Sequence, residues 1–393
     1  MPEPYPFAKR TSWPSATNRL TVLIQQFKSQ KIEVLDLTES NPTHCGFLYP
    51  QEKILTSLVE GKNLEYNPHP QGLRQPREAI SQYYQQRKRH VSPDQIFLTA
   101  STSEAYAFLF RLLADPQDHI LFPTPSYPLF DFLSDLNDTV KDDYPLDYNG
   151  RWTMDARQIE SLITKRTKAI VTVNPNNPTG SFVSPEEIKA LNHLCRSHHL
   201  AMISDEVFGD YVFPSCHQPT SFVDNQDVLT FTLGGLSKSL GLPQMKLAWI
   251  VVSGPDSLVA LAKERLEFIA DTYLSVNTLV QQAAADWLRL FPEIQSMIMD
   301  RIKNNLSFLQ QICRNSQQVQ VLPVEGGWYA VLEIPKHKTE EEWILEFLKE
   351  DHVLVHPGYF FNFPREGYGI ISLLPKEEVF QKALRRILSR TAV

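Results

Sequence analysis

The chain has 393 residues, 42% hydrophobic and 21% charged, with a formal net charge of -7. That length accommodates two domains or one elaborated α/β domain with a sizeable core, and the composition excludes a disordered tail or a fibre. The acidic balance argues against a nucleic-acid partner, because the densest basic run is only Arg87-Lys88-Arg89-His90 and a solvated helix end accounts for it.

The four cysteines, Cys45, Cys195, Cys216 and Cys313, are widely spaced and form no CxxC, so neither a zinc site nor a disulfide framework is expected. Met1-Pro2-Glu3-Pro4-Tyr5-Pro6 has no basic segment leading into an apolar one, and no stretch approaches the ~18 apolar residues of a membrane span. The expectation is a cytoplasmic protein without export signal, span or anchor.

After the Pro-rich arm, Asn18 is placed to cap a helix through Phe27, and Val34-Leu35-Asp36-Leu37 reads as a short strand ended by Glu39-Ser40-Asn41-Pro42-Thr43. A loop from Tyr66 to Gly72 precedes a helix over 73–89. From Ile96 onward, short apolar runs alternate with amphipathic segments: strands at 96–99, 120–122, 169–173 and 201–205, helices at 103–113, 129–136 and 185–198. Strands without polar alternation, separated by helices, predict a mostly parallel sheet covered on both faces, with ligands outside the carboxyl ends of its strands. Further apolar runs at 228–233 and 247–252 flank a turn. Beyond it, helices over 257–268, 277–290, 299–313, 340–349 and 377–387 mix with strands at 319–322, 326–334 and 369–373, predicting a smaller α+β domain. The predicted division is 1–45 as an amino-terminal arm and part of the small domain, 46–275 as the large domain, and 276–393 as the carboxyl-terminal small domain.

Five strand-end loops carry residues suited to chemistry. Thr99-Ala100-Ser101-Thr102-Ser103 opens a helix, where free N–H groups favour a phosphate; the same residues also serve as an ordinary helix cap. Pro123-Thr124-Pro125-Ser126-Tyr127-Pro128 holds a ring in a stiff loop, to stack on a flat ligand or to fill the core. Asn174-Pro175-Asn176-Asn177-Pro178-Thr179-Gly180 crowds more amides behind an apolar strand than a turn requires. Asp205 ends the strand that begins at Ala201, where a carboxylate needs a partner such as a protonated ring nitrogen. Lys238, in Gly234-Gly235-Leu236-Ser237-Lys238-Ser239, reads either as a surface lysine or as an amine able to form an imine with a carbonyl cofactor. A phosphate cradle, a ring platform, an amide, a carboxylate and a lysine are together the parts that hold pyridoxal phosphate.

With these motifs, above all Asn177-Pro178-Thr179-Gly180, Asp205-Glu206-Val207 and Ser237-Lys238 with Gly241-Leu242-Pro243, the chain resembles the class I/II aminotransferases, pyridoxal phosphate enzymes of fold type I, over nearly its whole length. The resemblance implies a three-layer α/β large domain and a smaller α+β domain. It makes Lys238 the imine lysine and acid/base, Asp205 the partner of the pyridine nitrogen, Asn177 that of the phenolic oxygen, and Tyr127 the stacking ring. Thr102, Ser103, Ser237 and Lys246 become phosphate contacts. Tyr66 resembles a tyrosine that reaches the neighbouring subunit's phosphate, so a homodimer with shared sites is implied. Asn41 and Arg365 are the candidate substrate contacts.

Four positions depart from the family pattern. Phe208 replaces a tyrosine, leaving Tyr211 as a substitute donor; Gly235 replaces a serine; Lys246 replaces an arginine; and Ile370 stands where the family has the arginine that grips the substrate carboxylate. Arg365, Arg19, or a substrate without that carboxylate would answer the last. The expected reaction is ping-pong transfer of an amino group from an amino acid or amine to a 2-oxo acid. The alternatives are a β-lyase or decarboxylase on the same scaffold and, more remotely, a non-catalytic pyridoxal phosphate-binding protein.

Overall fold

The computed structural model describes residues 5–13, 18–59, 64–216 and 218–392; the first four residues of the Pro-rich arm lie outside these. An eight-stranded sheet runs, in spatial order, Ile96–Thr99, Ala248–Ser253, Thr230–Gly235, Ala201–Asp205, Thr167–Val173, His119–Thr124, Val140–Tyr148 and Trp152–Met154. The strands from 230–235 across to 140–148 are parallel, and 248–253 runs antiparallel to both its neighbours. Every residue of the strands 96–99, 201–205, 230–235 and 248–253 is buried, which is why they read as unbroken apolar runs.

The helices start where the sequence supplies caps. Asn18 accepts from the Thr21 N–H at 2.7 Å and starts Arg19–Ser29. Ser184 and Glu187 form a capping box with Pro185 at the first position of Pro185–His198. Several elements were not anticipated, among them the helices Gln51–Thr56 and Ala156–Leu162 and the strands Val140–Tyr148, Trp152–Met154, Val353–Leu354 and His356–Pro357. The strand Val140–Tyr148 carries Lys141, Asp142 and Asp143 at its open end of the sheet, so its composition hides it. The predicted break before residue 299 is also absent, because Phe291–Cys313 is one helix that starts at a proline in its first turn.

A four-stranded sheet, in order Gln320–Val321, Tyr329–Glu333, Tyr368–Ser372 and His356–Pro357, lies against the large one. Its Val331 and Ile370 share a core with Leu121, Tyr144 and Ile170 of the large sheet. Leu35–Asp36 pairs with Val353–Leu354, and the Leu37 carbonyl accepts the Ser372 N–H at 2.7 Å, which carries the segment Thr38–Asn41 over the end of the small sheet. The small sheet is pinned to the loop at 174–180 as well. Both Glu325 and Gly326 donate to the Gly180 carbonyl, and a Cβ on Gly180, whose φ is +70°, would stand 2.6 Å from the Gly326 oxygen.

Candidate active site

Register places the candidate residues at one end of the large sheet. Val173 pairs with Asp205 and Asp205 with Leu233; Gly235 and Thr99 both pair with Ala248. The loops carrying Asn177, Asp205, Lys238 and Thr102 therefore emerge side by side. Lys238 does not sit in an irregular turn as expected but in a single helical turn, Leu236–Ser239, closed by Ser239 Oγ on the Gly235 carbonyl at 3.0 Å.

Asp205 is buried and lies deep in the site. Its carboxylate accepts from the Tyr106 hydroxyl at 3.1 Å and from the Val207 N–H at 3.2 Å. Burial pushes its pKa up to about 6 against the opposing pull of those two donors and of Lys238. Lys238 moves the other way. Burial lowers its amine to about 8, and the Asp205 charge is the only one acting on it. Its Nζ makes no hydrogen bond among the described residues and lies 4.9 Å from the Trp328 ring centroid and 5.2 Å from that of Phe208. A half-buried, weakly basic, unpaired amine within the field of a carboxylate is equipped to attack a carbonyl and to carry a proton.

The three asparagines behind Val173 divide by role. Asn174 accepts from the Val183 N–H at 3.0 Å and donates to the Thr220 carbonyl at 3.0 Å; Asn176 accepts from Thr179 Oγ1 at 2.9 Å and donates to the Pro125 carbonyl at 3.3 Å. Asn177 differs: its Oδ1 is buried and has no partner. An orphaned buried polar atom costs about 1–3 kcal/mol; several described side chains carry one, and Asn177 is the asparagine of this loop that does. Asn176→Ala is accordingly expected to lower unfolding stability by about 1–3 kcal/mol in urea titration, and Asn177→Ala by less than about 1 kcal/mol.

At the start of the helix Thr102–Leu113, the Ser101 side chain accepts the Glu104 N–H at 3.1 Å and Glu104 reaches back to the Ala100 N–H at 2.7 Å. The N–H groups of Thr102 and Ser103 have no intrahelical acceptor, and both residues keep part of their surface open. Ser237, at the start of the Lys238 turn, is also partly open and its hydroxyl has no partner among the described residues. Tyr127 sits in its loop with the ring 42% exposed, near enough to Asp205 for that charge to raise its pKa together with burial.

Other candidates are not brought to this cluster. Tyr66 lies on the surface, 82% exposed. Lys246 is exposed at the end of the turn between two strands, in a left-handed conformation with φ 52°. Arg19 pairs with Glu341 on the surface. Arg365 is exposed, near Tyr368, and makes no ion pair with Glu366 or with any other described residue. Ile370 is wholly buried. The Asn41 amide is engaged locally, accepting from Thr43 Oγ1 at 2.8 Å and meeting His44 Nε2 at 3.3 Å, while its neighbour Ser40 faces Tyr329.

The expectation that Tyr211 replaces the missing tyrosine hydroxyl is corrected by its hydrogen bond: Tyr211 OH donates to the Lys238 carbonyl at 2.7 Å. Its ring is fully buried, and the hydroxyl has the Trp328 side chain as its other neighbour. Three residues that line the cluster went unnoticed in the sequence: Tyr106, Trp328 and Tyr329. Tyr106 lies four positions after Thr102 on one helix, a spacing that offers a signal; Trp328 and Tyr329 come from a strand about 90 positions after Lys238 and offer none.

The model of the aminotransferase class I and II family matches residues 32–387. The chain belongs to that family. Its relatives include the glutamate-pyruvate aminotransferase AlaA of Escherichia coli K12, 27% identical over 90% of this chain and 89% of that protein, and an alanine aminotransferase of Mycobacterium bovis, 26% identical over 90% and 84%. Among solved structures, an alanine aminotransferase from Pyrococcus furiosus superposes with a TM-score of 0.89 at 25% identity, covering 98% of this chain and all of that one. As an aminotransferase of this family the protein is an α/β enzyme, and the strand-end cluster is where family membership and local chemistry meet.

Proposed function

We propose that the protein is a pyridoxal phosphate-dependent aminotransferase that moves an amino group from an amino acid, or an amine, to a 2-oxo acid through Lys238. The observation that carries this reading is the meeting, at one end of the sheet, of an unbonded, half-buried Lys238 whose amine is lowered to about 8 and a buried Asp205 raised to about 6. The residues present fit the cofactor, since the Asn177 side chain makes no hydrogen bond among the described residues and its Nδ2 is left to donate to a ligand. In this reading the Thr102 and Ser103 N–H groups and the Ser237 hydroxyl hold the phosphate, with Lys246 nearby in sequence; Tyr127 covers the ring; Asp205 meets the ring nitrogen; and Asn177 donates through Nδ2 to the phenolic oxygen. When bound, the cofactor supplies an electron sink for the bond broken next to the amino group. Asp205 keeps its carboxylate oriented through Tyr106 and Val207. Lys238 Nζ would take the proton from the substrate carbon that bears the amino group and carry it, as the one acid/base of the transfer. Phe208, Trp328 and Tyr329 exclude water from the amine while it does so.

We propose also that residues 46–275 form the cofactor-binding domain and 276–393, with part of 1–45, the smaller one. The large sheet falling within 96–253 and the small one within 320–372 support that division. A homodimer is part of the same reading, supported by the exposure of Leu64, Tyr66, Phe268 and Tyr273. A cytoplasmic location goes with it; among the described residues no helix is long and apolar enough to cross a membrane.

The reading is tested by loading the protein with pyridoxal phosphate and following its visible absorbance. An amino donor alone should bleach the band, and a 2-oxo acid should restore it. Persistence of the band with release of ammonia or carbon dioxide would replace transamination by elimination or decarboxylation. Asn177→Ala should weaken cofactor affinity about tenfold in a fluorescence titration.

For a substrate carboxylate, Arg365 is the proposed counter-charge and Asn41 the proposed neighbouring contact. Support for Arg365 is that it has no ion pair, and that its loop is fixed to the Tyr127 loop by the Thr124 Oγ1 bond to the Asn362 carbonyl at 2.6 Å. Arg365→Ala should raise the KM for amino acids at least about tenfold; a change within threefold removes it from the site.

A further inference from the structure

Lys238 Nζ rests against rings although a carboxylate acts on it. Lysine has a flexible four-carbon stem, and an amine free to turn toward Asp205 would gain an ion pair in a region with little water. No such pair forms: Asp205 is held by Tyr106 and Val207, and the amine lies in the corner between Trp328 and Phe208. The two rings meet edge to face at 5.4 Å and 73°, and both are buried.

The corner is built rigidly. Tyr211 donates to the Lys238 carbonyl, and its ring packs on Trp328 at 5.0 Å and 66°. The Gly327 N–H bonds the Tyr211 carbonyl at 2.9 Å, and the Trp328 carbonyl accepts from Leu373 at 2.7 Å. Gly327 has φ +84°, the left-handed conformation that lets the chain turn Trp328 inward. Backbone and amine of Lys238 are thus referenced to one aromatic group whose members come from two separated segments, 208–211 and 328.

We propose that Trp328, with Phe208, is a positioning residue that seats the free amine of Lys238 away from Asp205 and so keeps it available for proton transfer. An indole face attracts a cation about as strongly as a partly desolvated site allows, yet it offers no hydrogen bond to hold the amine once it is neutral. A seat of this kind places the amine without trapping it. The proposal rests on the reading of Lys238 as the reacting amine. Removing the indole admits water or lets the amine swing to Asp205, and either change favours the protonated form by more than the lost attraction of the ring for a cation disfavours it.

The test is competitive acetylation of the full chain freed of pyridoxal phosphate, over a range of pH, with Lys238 labelling read by peptide mass spectrometry. Lys238 in the unaltered protein should titrate near 8. Trp328→Leu should move that titration upward by about one unit, an about tenfold loss of labelling at neutral pH, and Trp328→Phe should restore it to within about threefold. Should Trp328→Leu not fold, Phe208→Leu should give an about threefold loss in the same direction. Labelling profiles that stay superimposable in these variants while their melting points fall would overturn the seat and leave only packing, and so would equal losses in Trp328→Leu and Trp328→Phe. Protection of Lys238 by added pyridoxal phosphate in the unaltered protein reports separately on the underlying reading; if it is not protected, both readings fall.

Discussion

Lys238→Ala is expected to slow amino-group transfer at least about a thousandfold, because the chain offers no second amine to the same carbon. General acid–base catalysis contributes about 10²- to 10⁴-fold and covalent attachment adds to it. The fold should not suffer. The amine has no hydrogen bond to lose, and its removal relieves a desolvated charge. The pH dependence of stability provides a second readout. In the folded chain the amine titrates near 8, against 10.5 for a free lysine. Between those values the unfolded state binds more protons, so the stability of the cofactor-free protein rises with pH across that window. Lys238→Ala should remove this contribution. Urea midpoints measured at the two ends of the window, in both proteins, decide it: an equal pH dependence would show that the lysine is not depressed.

Asp205→Asn should produce the opposite combination, a more stable apoprotein and a much weaker enzyme. Burial raises the folded carboxyl to about 6 from 3.8, so the folded state holds its proton where the unfolded one has released it. Stability therefore falls as pH rises through that interval, by about 2–3 kcal/mol in total at neutral pH. Asparagine has nearly the same shape and keeps an oxygen for the Val207 N–H, while Tyr106 can turn to accept from its amide. The variant should lack the acid-side fall and unfold at higher denaturant at pH 7. Activity should drop about 10²- to 10⁴-fold, because a neutral amide cannot keep a ring nitrogen protonated. A variant equally active, or one destabilised at pH 7, would place the role of Asp205 elsewhere. A buried carboxyl that destabilises its own fold is what a site gives up for function.

Glu206 shows why a shifted pKa alone does not identify a site. Burial raises its carboxyl to about 7, as it raises that of Asp205. Yet its oxygens are taken by Ser221 Oγ at 2.5 Å, the Phe222 N–H at 2.7 Å and Ser204 Oγ at 3.0 Å, so it fastens one loop to another.

The sequence by itself determined the elements whose pattern is local: the all-apolar strands at 96–99 and 201–205, the capped helices at Asn18 and Ser184, and the strand-end loops that hold Asn177, Asp205 and Lys238. Burial on both faces and capping leave their mark on neighbouring residues, so these were legible. Tertiary structure alone decided which of three adjacent asparagines is free, since that depends on Thr220, Val183 and Pro125 reaching the other two. It alone turned Tyr211 toward a backbone carbonyl and set Trp328 over the Lys238 amine. Those contacts join segments far apart in the chain, and no periodicity within one segment encodes what another will bring against it.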